Sequence, residues 1–481
     1  MKPSVQSLDL EQKRALLARM LKQQSPVCKT AFILQGLILD CMMTEAPVWN
    51  MRSTIRFFKK VDPELLRGRM QRIIDRHPAL RTTYEIPKEH ELEYHAKILM
   101  IRLDSLRLSD VNLEALVDQR VHPTHQVDFT VVDASDWTPE QLRQRLLQDA
   151  MQPYDLTKLP VCRLRLYQRK HDDVMQFDVH HCAADLWSLE LIMAELEQPP
   201  AGPPPPSFAE FCSWQHAWFA LPKAAEMRQW WTEYLEGCPS LALPHSEGDD
   251  PVDSVQFRLE EDVLNLARQA CRTHKITLFN LVLSTLQVTM GRALGLDDFV
   301  LGGAVANRPN QRFEDTVGFF AQLVLYRRDL REVETWEQLW ANNRKTLSEV
   351  IDRQFYPVVT TLPVPRTDVW IMFQQYQKAR WIEGEVPSGE PHGLRSGGVV
   401  NSPLGPWEFL FVEAPQNSSP VMLEIIEQKD GLQGAFRFRT TCLSPKKAEL
   451  YAQDFQARFR ASLANPTGSI DSLHLPVNAP V

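Results

Sequence analysis

The chain has 481 residues, of which 44% are hydrophobic, so it is long enough to bury two separate cores. Its net charge of −8 and its pI of about 5.9 provide no basic surface of the kind that binds nucleic acid. No apolar run approaches the roughly 18 residues of a membrane span, and the N-terminus lacks the apolar stretch of a signal peptide. The eight cysteines have no zinc-type spacing. We therefore expect a cytoplasmic protein with reduced thiols, no metal, and no nucleic-acid or membrane partner.

The predicted elements mix helices and strands on both sides of one proline-rich stretch. Before that stretch, a helix is predicted over 63–76 and strands over 161–167 and 174–179. After it come predicted helices over 208–221, 260–274 and 277–294, and a strand over 299–304. Proline forbids helix and favours an extended backbone. The sequence thus predicts an N-terminal lobe over 1–198, a linker over 199–206 and a C-terminal lobe over 207–481.

The most informative segment is His180-His181-Cys182-Ala183-Ala184-Asp185-Leu186-Trp187-Ser188, where the strand over 174–179 gives way to a helix. Apolar and polar residues alternate along this strand, which predicts that His181 lies on the apolar face and His180 on the opposite face. Asp185 or Ser188 is predicted to cap the helix that follows. The two imidazoles therefore should not share one role.

Imidazole suits acid–base chemistry because its ordinary pKa of about 6.5 lets it exchange a proton near neutral pH. Two histidines at a strand end can also be ordinary structural residues that are satisfied by hydrogen bonds. The histidine pair alone leaves both interpretations open, and the surrounding sequence has to decide between them.

The segment resembles the HHxxxDG motif of the condensation domains of nonribosomal peptide synthetases, and further similar segments follow in the order typical of that family. These are 76–84 (RHPALRTTY), 153–156 (PYDL), 160–163 (PVCR), 276–279 (ITLF), 297–302 (DDFVLG), 307–309 (NRP), 317–322 (VGFFAQ) and 436–440 (FRFRT). An ordered series across nearly the whole chain is far more specific than one short motif.

The resemblance implies an α/β (α+β) fold with two lobes similar to chloramphenicol acetyltransferase, arranged in a V with a tunnel between them. It implies amide bond formation between an acyl, peptidyl or polyketide thioester donor and an aminoacyl acceptor. Each substrate would be carried on the phosphopantetheine arm of a carrier protein, so the domain would bind no cofactor of its own. Expected partners are the donor and acceptor carrier proteins and the adjacent synthetase or polyketide synthase domains.

The resemblance also implies roles for individual residues. His181 is the catalytic candidate, which would align the acceptor amine and accept its proton. Asp185 and Arg163 would form a structural salt bridge, and His180 and Ser188 would support the loop. The family places Arg308 at the lobe interface and Gln322 beside the tunnel.

Departures from the family pattern bear on substrate choice. Leu186 replaces the glycine of HHxxxDG, and Trp187 follows it, which predicts a narrowed tunnel beside His181 or, as an equal alternative, packing into the core. Gln322 replaces the usual asparagine. The form Asp185-Leu186-Trp187-Ser188 resembles condensation domains of mixed polyketide–peptide assembly lines. The first motif of the family is hardly recognisable in 29–43, so donor preference is open.

Other classes fit less well. Coenzyme-A-dependent acyltransferases share HxxxD but carry a late DFGWG segment, for which 405–409 is a poor substitute. Heterocyclisation domains have DxxxxD in place of the two histidines, recruitment domains usually lack the second histidine, and epimerisation domains place an aromatic residue after the serine. The alternatives kept are a non-catalytic docking module that holds carrier proteins and a freestanding acyltransferase that forms an ester or amide.

Overall fold

A computed structural model describes residues 27–43, 49–86, 117–246, 251–308, 311–375, 395–400, 402–411, 419–428 and 430–473. Its strands, numbered in chain order, are β1 Val27–Lys29, β2 Asn50–Phe57, β3 Thr82–Glu85, β4 Asp118–Val121, β5 Phe129–Asp133, β6 Cys162–Gln168, β7 Asp173–His180, β8 Val252–Glu260, β9 Asp298–Val305, β10 Gln322–Asp329, β11 Val369–Gln375, β12 Arg395–Val400, β13 Trp407–Phe411, β14 Val421–Gln428 and β15 Gly431–Arg439.

The helices are α1 Phe32–Met43, α2 Pro63–Arg76, α3 Pro139–Ala150, α4 Leu186–Glu197, α5 Phe208–Phe219, α6 Pro222–Leu235, α7 Glu261–His274, α8 Leu278–Leu294, α9 Trp336–Asp352, α10 Val358–Thr361 and α11 Pro445–Ala464. The helices that the sequence predicts over 63–76, 260–274 and 277–294 occur within one residue of those bounds. Among the described helices, none is long and apolar enough to cross a membrane.

Two mixed six-stranded sheets form the framework, with strand orders β12-β13-β2-β7-β6-β5 and β10-β9-β11-β14-β15-β8. A small third sheet has the order β1-β4-β3. In the first large sheet β7 is antiparallel to both β2 and β6, so it lies in the interior of the sheet, and all eight of its residues are buried. This central strand ends at His180, so the histidine pair lies at the end of an interior strand.

The predicted division of the chain at 199–206 differs from the structure in one respect. Strand β13, which lies far beyond the linker, pairs antiparallel with β2 in the first sheet, and β12 pairs in turn with β13. Helix α5 also packs into the first core, through Phe208 and Phe211. Pairing satisfies the backbone groups along the β2 edge, which would otherwise stay open. The C-terminal part of the chain therefore completes the first lobe.

The proline-rich linker itself is extended and exposed over most of its length. Two of its carbonyls, those of Gly202 and Pro203, accept hydrogen bonds of 2.9 and 2.8 Å from the guanidinium of Arg76 at the end of α2. This contact fixes the path of the chain between the two lobes.

Candidate active site

His181 is the first residue after β7, and both its backbone N–H and its imidazole form a hydrogen bond. Its N–H donates to the carbonyl of Trp49 at 2.8 Å, just before β2. Its Nδ1 lies 2.7 Å from the carbonyl of Ala184. A carbonyl can only accept, so Nδ1 carries the proton and the neutral ring presents Nε2 as an acceptor. Among the described residues, no hydrogen bond to Nε2 occurs.

The surroundings of His181 favour its neutral form. Burial lowers the pKa of the imidazole, and the hydrogen bond to Ala184 and the charge of Asp185 oppose that effect. Two aromatic rings lie beside it, that of Phe319 with centroids 4.7 Å apart and that of Trp49 at 5.9 Å. A neutral ring with an available Nε2 can accept a proton from a bound nucleophile.

His180, the last residue of β7, has partners that differ from those of His181. Its Nδ1 accepts a hydrogen bond of 3.1 Å from the N–H of Cys182, and its Nε2 lies 3.3 Å from the Sγ of Cys41 on α1. Burial, followed by the neighbouring His181, lowers the pKa of His180 to about 3. His180 is therefore neutral at physiological pH, and its contact with Cys182 holds the turn after β7.

Asp185 caps helix α4 and also receives donors from the other half of the chain. Its carboxylate accepts from the N–H and the hydroxyl of Ser188, at 2.8 and 2.7 Å. It also accepts from the N–H of Phe320 at 3.1 Å and from the Arg308 guanidinium at 3.1 Å. Both members of this ion pair have side chains only 5% exposed. Asp185 is thus part of a buried contact between the lobes.

The predicted salt bridge between Asp185 and Arg163 is wrong. Arg163 donates to the carbonyls of Gln152 and Pro153, at 3.2 and 2.9 Å, and its nearest carboxylate is Asp128 at 3.9 Å. Arg163 lies on β6 in register with Asp178 of β7, whereas Asp185 lies beyond the end of β7 at the start of α4. The strand pairing holds the arginine away from the loop.

Arg308 takes the place of Arg163 as the partner of Asp185. It follows β9, and its guanidinium donates to the carbonyls of Phe313 and Thr316, each at 2.8 Å, as well as to Asp185. It also lies over the ring of Phe320 at 4.1 Å. Burial lowers its pKa, and Asp185 opposes this shift. The place of Arg308 at the lobe interface stays a prediction.

Ser188 also joins the start of α4 to the segment that follows β9. Its Oγ accepts from the N–H of Gly318 at 3.0 Å and from Arg308 at 3.2 Å. The N–H of Asp185 in turn donates to the carbonyl of Gly318 at 3.1 Å. The segment 313–320 is therefore attached to the first turn of α4 by backbone and side-chain hydrogen bonds.

The residues predicted to line a tunnel occupy three different environments. Leu186 is the first residue of α4 and is partly exposed. Trp187 packs against the first core, and its Nε1 donates to the carbonyl of Glu314 at 2.9 Å. Gln322 is fully buried at the start of β10, and neither amide atom has a hydrogen-bond partner within the described residues. A tunnel-lining role stays a prediction for all three residues.

A second buried charged group lies on β7 itself. Asp178 of β7 accepts from Gln176 at 2.9 Å and lies 3.4 Å from Arg165, which also lies 3.5 Å from Asp149. Burial raises the pKa of Asp178 to about 6, although Gln176 and the nearby arginines oppose the shift. Among the described residues, no group of three or more potential ligands could hold a metal ion.

Sequence reasoning missed Phe319 and Trp49, the two rings beside His181. Phe319 belongs to the segment 317–322 that resembles the family, yet its sequence position does not predict a contact with a histidine 138 positions earlier. Trp49 precedes β2, whose pairing with β7 brings it to His181. Neither contact has a local sequence signal, because both depend on the assembled sheets.

Comparison with known proteins identifies the family. The sequence model of the family described as "Condensation domain" matches residues 88–478. A linear gramicidin synthase polypeptide from Brevibacillus parabrevis is 27% identical over 469 residues, which cover 91% of this chain but only 8% of that protein. The chain thus corresponds to a small part of this relative.

Solved structures show the same fold. The four-domain nonribosomal peptide synthetase AB3403 aligns with a TM-score of 0.75 and 17% identity, covering 93% of this chain and 34% of that one. The condensation domain from the Monacolin K polyketide synthase MokA aligns with a TM-score of 0.74 and 16% identity, covering 92% and 99%. The family match, which extends over most of the chain, shows that this protein belongs to the condensation-domain family.

Proposed function

We propose that this domain forms an amide bond between a donor thioester and an acceptor amine, each held on the phosphopantetheine arm of a carrier protein. The observation that carries the proposal is the state of His181, whose Nδ1–H is bound to Ala184 while its Nε2 is left as an acceptor. Membership in the condensation-domain family and similarity to peptide synthetases support the same reaction.

In the proposed reaction, the Nε2 of His181 accepts a hydrogen bond from the acceptor amine and aligns it with the thioester carbonyl. An α-amino group has a pKa near 8, so a useful fraction is neutral without help and alignment contributes as much as proton removal. Attack by nitrogen gives a tetrahedral intermediate. The imidazole takes the ammonium proton, the C–S bond breaks, and the departing phosphopantetheine thiolate receives that proton from the imidazolium, so it leaves as a thiol and His181 returns to its neutral form.

Asp185, Ser188 and Arg308 act as structural support in this proposal. They attach the segment 313–320 to the first turn of α4, and Ala184, the carbonyl partner of His181, immediately precedes the cap residue Asp185. Loss of this attachment would let the histidine loop move relative to the second lobe. The effect on catalysis would then be indirect and would follow the loss of stability.

Donor and acceptor carrier proteins and neighbouring synthase domains are the proposed partners. The linear gramicidin synthase relative is a protein of which the chain covers only 8%, which supports a role within a larger assembly line. We also propose a polyketide or fatty acyl donor, because the Asp185-Leu186-Trp187-Ser188 sequence is similar to domains of mixed assembly lines. The MokA condensation domain, which belongs to a polyketide synthase, is consistent with that choice in fold only.

The decisive experiment supplies acyl-loaded donor and aminoacyl-loaded acceptor carrier proteins and follows the acceptor by intact mass spectrometry. A mass increase equal to the acyl group supports condensation. His181→Ala should lower single-turnover product formation by about 10²–10⁴-fold. His245→Ala is the matched control, because His245 is partly exposed and interacts with Cys442 and Arg366 in the second lobe.

Three outcomes contradict the proposal. A folded His181→Ala variant with an undiminished rate would exclude its catalytic role. Binding of both carrier proteins without any transfer, across a panel of acyl and aminoacyl groups, would instead support the non-catalytic docking module. Transfer of the acyl group to a soluble alcohol or amine, with no requirement for an acceptor carrier protein, would support the freestanding acyltransferase.

A further inference from the structure

Phe319 lies between two residues that are both attached to the first turn of α4. The N–H of Gly318 donates to the Ser188 hydroxyl at 3.0 Å, and the N–H of Phe320 donates to the Asp185 carboxylate at 3.1 Å. These bonds hold the backbone on each side of Phe319. The position of the Phe319 side chain is therefore set by the cap of the helix that follows the histidine motif.

The Phe319 ring is directed at the imidazole of His181. The two centroids are 4.7 Å apart and the planes meet at 79°, an edge-to-face arrangement that is favourable for aromatic rings. Phe319 is only 6% exposed. Trp49 lies near the imidazole as well, at a longer centroid distance of 5.9 Å. The imidazole thus has an aromatic ring from each half of the chain beside it.

A single described hydrogen bond fixes the imidazole ring, the 2.7 Å contact between Nδ1 and the carbonyl of Ala184. One such bond allows the ring to swing about the bond axis, and the neighbouring ring of Phe319 limits that movement. The direction of Nε2 then depends on Phe319 as well as on Ala184. A small misplacement of a reacting group can reduce a rate about 100-fold, so this restraint has a functional consequence.

We infer that Phe319 is a positioning residue for His181, supplied by the segment between β9 and β10 and acting only when that segment is bound to α4. The consequence for turnover rests on the proposed function, whereas the consequence for the state of the imidazole does not. Phe319 has no atom that can exchange a proton. Its effect is to hold the Nε2 direction and to keep water from one side of the ring.

The charged and titratable groups around His181 are few and can be separated from the effect of Phe319. His180 is adjacent on the same strand and is neutral because of its lowered pKa. Asp185 at the start of α4 raises the pKa of His181, and Arg308 binds Asp185 from the second lobe. Substitution of Phe319 changes none of these charges. Its removal should hydrate the imidazole and so raise the pKa of His181 towards its ordinary value.

The test compares Phe319→Leu with Phe211→Leu. Phe211 is a buried phenylalanine of α5 in the same core, where it contacts Phe208, Phe313 and Phe320. The same substitution there provides a match for lost packing. Phe319→Tyr keeps the aromatic ring and should leave the His181 pKa and tautomer as they are in the wild type. If Phe319→Leu does not fold, Phe319→Met, whose flexible side chain fills irregular gaps in a core, takes its place.

The first measurement is long-range ¹H–¹⁵N NMR of the histidines across a pH series, with the His181 signals assigned by their loss in His181→Ala. In Phe319→Leu the His181 pKa should rise and the Nδ1–H tautomer should be less dominant, while Phe211→Leu and Phe319→Tyr should match the wild type. The second measurement is the pH–rate profile with loaded carrier proteins. There kcat should fall about 10-fold, with KM for the acceptor nearly unchanged and the acid limb moved to higher pH.

An unchanged pKa and tautomer of His181 in Phe319→Leu would overturn the inference, as would an equal change in Phe211→Leu. The NMR result does not require turnover. If the wild-type chain forms no amide with any carrier pair, the proposed function fails while the NMR comparison still decides the role of Phe319.

Discussion

Substitution of either member of the buried ion pair between Asp185 and Arg308 should destabilise the protein strongly. Loss of Asp185 should cost more than loss of Arg308. Breaking a buried pair costs about 3–5 kcal/mol because one charge is left without its partner. After Arg308→Met, the Asp185 carboxylate keeps three donors, the N–H and hydroxyl of Ser188 and the N–H of Phe320. We therefore expect a loss of about 3 kcal/mol in the free energy of unfolding, the lower end of that range.

Asp185→Ala should cost more, because it removes all four interactions at once. It deletes the α4 N-cap, worth about 1 kcal/mol. It leaves the buried N–H of Phe320 unsatisfied, which costs about 1–3 kcal/mol. It also leaves the buried charge of Arg308 without a carboxylate partner, so that among the described residues Arg308 donates only to the carbonyls of Phe313 and Thr316 and to the Ser188 hydroxyl. The total should approach or exceed about 5 kcal/mol.

Arg163→Ala is the matched control, since sequence reasoning assigns this arginine to the same carboxylate. Its nearest acid, Asp128, is 3.9 Å away and has a side chain 41% exposed. Such a pair is screened by solvent and contributes about 1 kcal/mol or less. The expected order of destabilisation is therefore Asp185→Ala, then Arg308→Met, then Arg163→Ala.

The assay is urea denaturation followed by tryptophan fluorescence, combined with two double-mutant cycles. Asp185 and Arg308 should show a coupling energy of about 1–3 kcal/mol, whereas Asp185 and Arg163 should be additive within about 0.5 kcal/mol. Additivity of the Asp185–Arg308 pair would refute the structural reasoning. A strong coupling between Asp185 and Arg163 would instead support the salt bridge that the family resemblance implies.

Three other residues lead to further predictions. His181→Ala should abolish most turnover, by about 10²–10⁴-fold, with a melting temperature near that of the wild type; a large loss of stability would mean that its role is structural. The raised pKa of Asp178 means that the folded state binds this proton more tightly than the unfolded chain, so the free energy of unfolding should fall as pH rises towards about 6. Urea titrations across that range should show a flatter profile for Asp178→Asn, and an identical slope would exclude Asp178 as the cause. Leu186→Gly should cost up to about 1 kcal/mol of stability and widen tolerance for bulky aminoacyl acceptors in competition assays; unchanged acceptor preference with a large loss of stability would indicate that Leu186 packs into the core.

Local sequence patterns determined the secondary structure around the site. The alternation over 174–179 predicts the strand that the structure extends to Asp173–His180, all of whose residues are buried, and the placement of His180 and His181 on opposite faces stays a prediction. The helix that follows is capped by Asp185, one of the two predicted caps. The ordered motifs also identified the family. Each of these features depends on neighbouring residues or on a linear series, which sequence reasoning can read directly.

Only the tertiary structure decided which distant residues meet. Arg308 lies 123 positions after Asp185, and both Arg163 and Arg308 were available as partners in the sequence. Strand register places Arg163 against Asp178, while the segment that follows β9 brings Arg308 to the start of α4. Periodicity cannot distinguish these outcomes, because it specifies the direction of a side chain and not the element that will face it.

The same limit explains the composition of the first lobe and the environment of His181. Proline content predicts the linker, but the pairing of β13 with β2 joins residues some 350 positions apart, and no local signal encodes that register. Phe319 likewise reaches His181 only because the two lobes share hydrogen bonds at α4. The sequence by itself determined the residue that can accept a proton, and the packing of the lobes decided how that residue is held and which groups surround it.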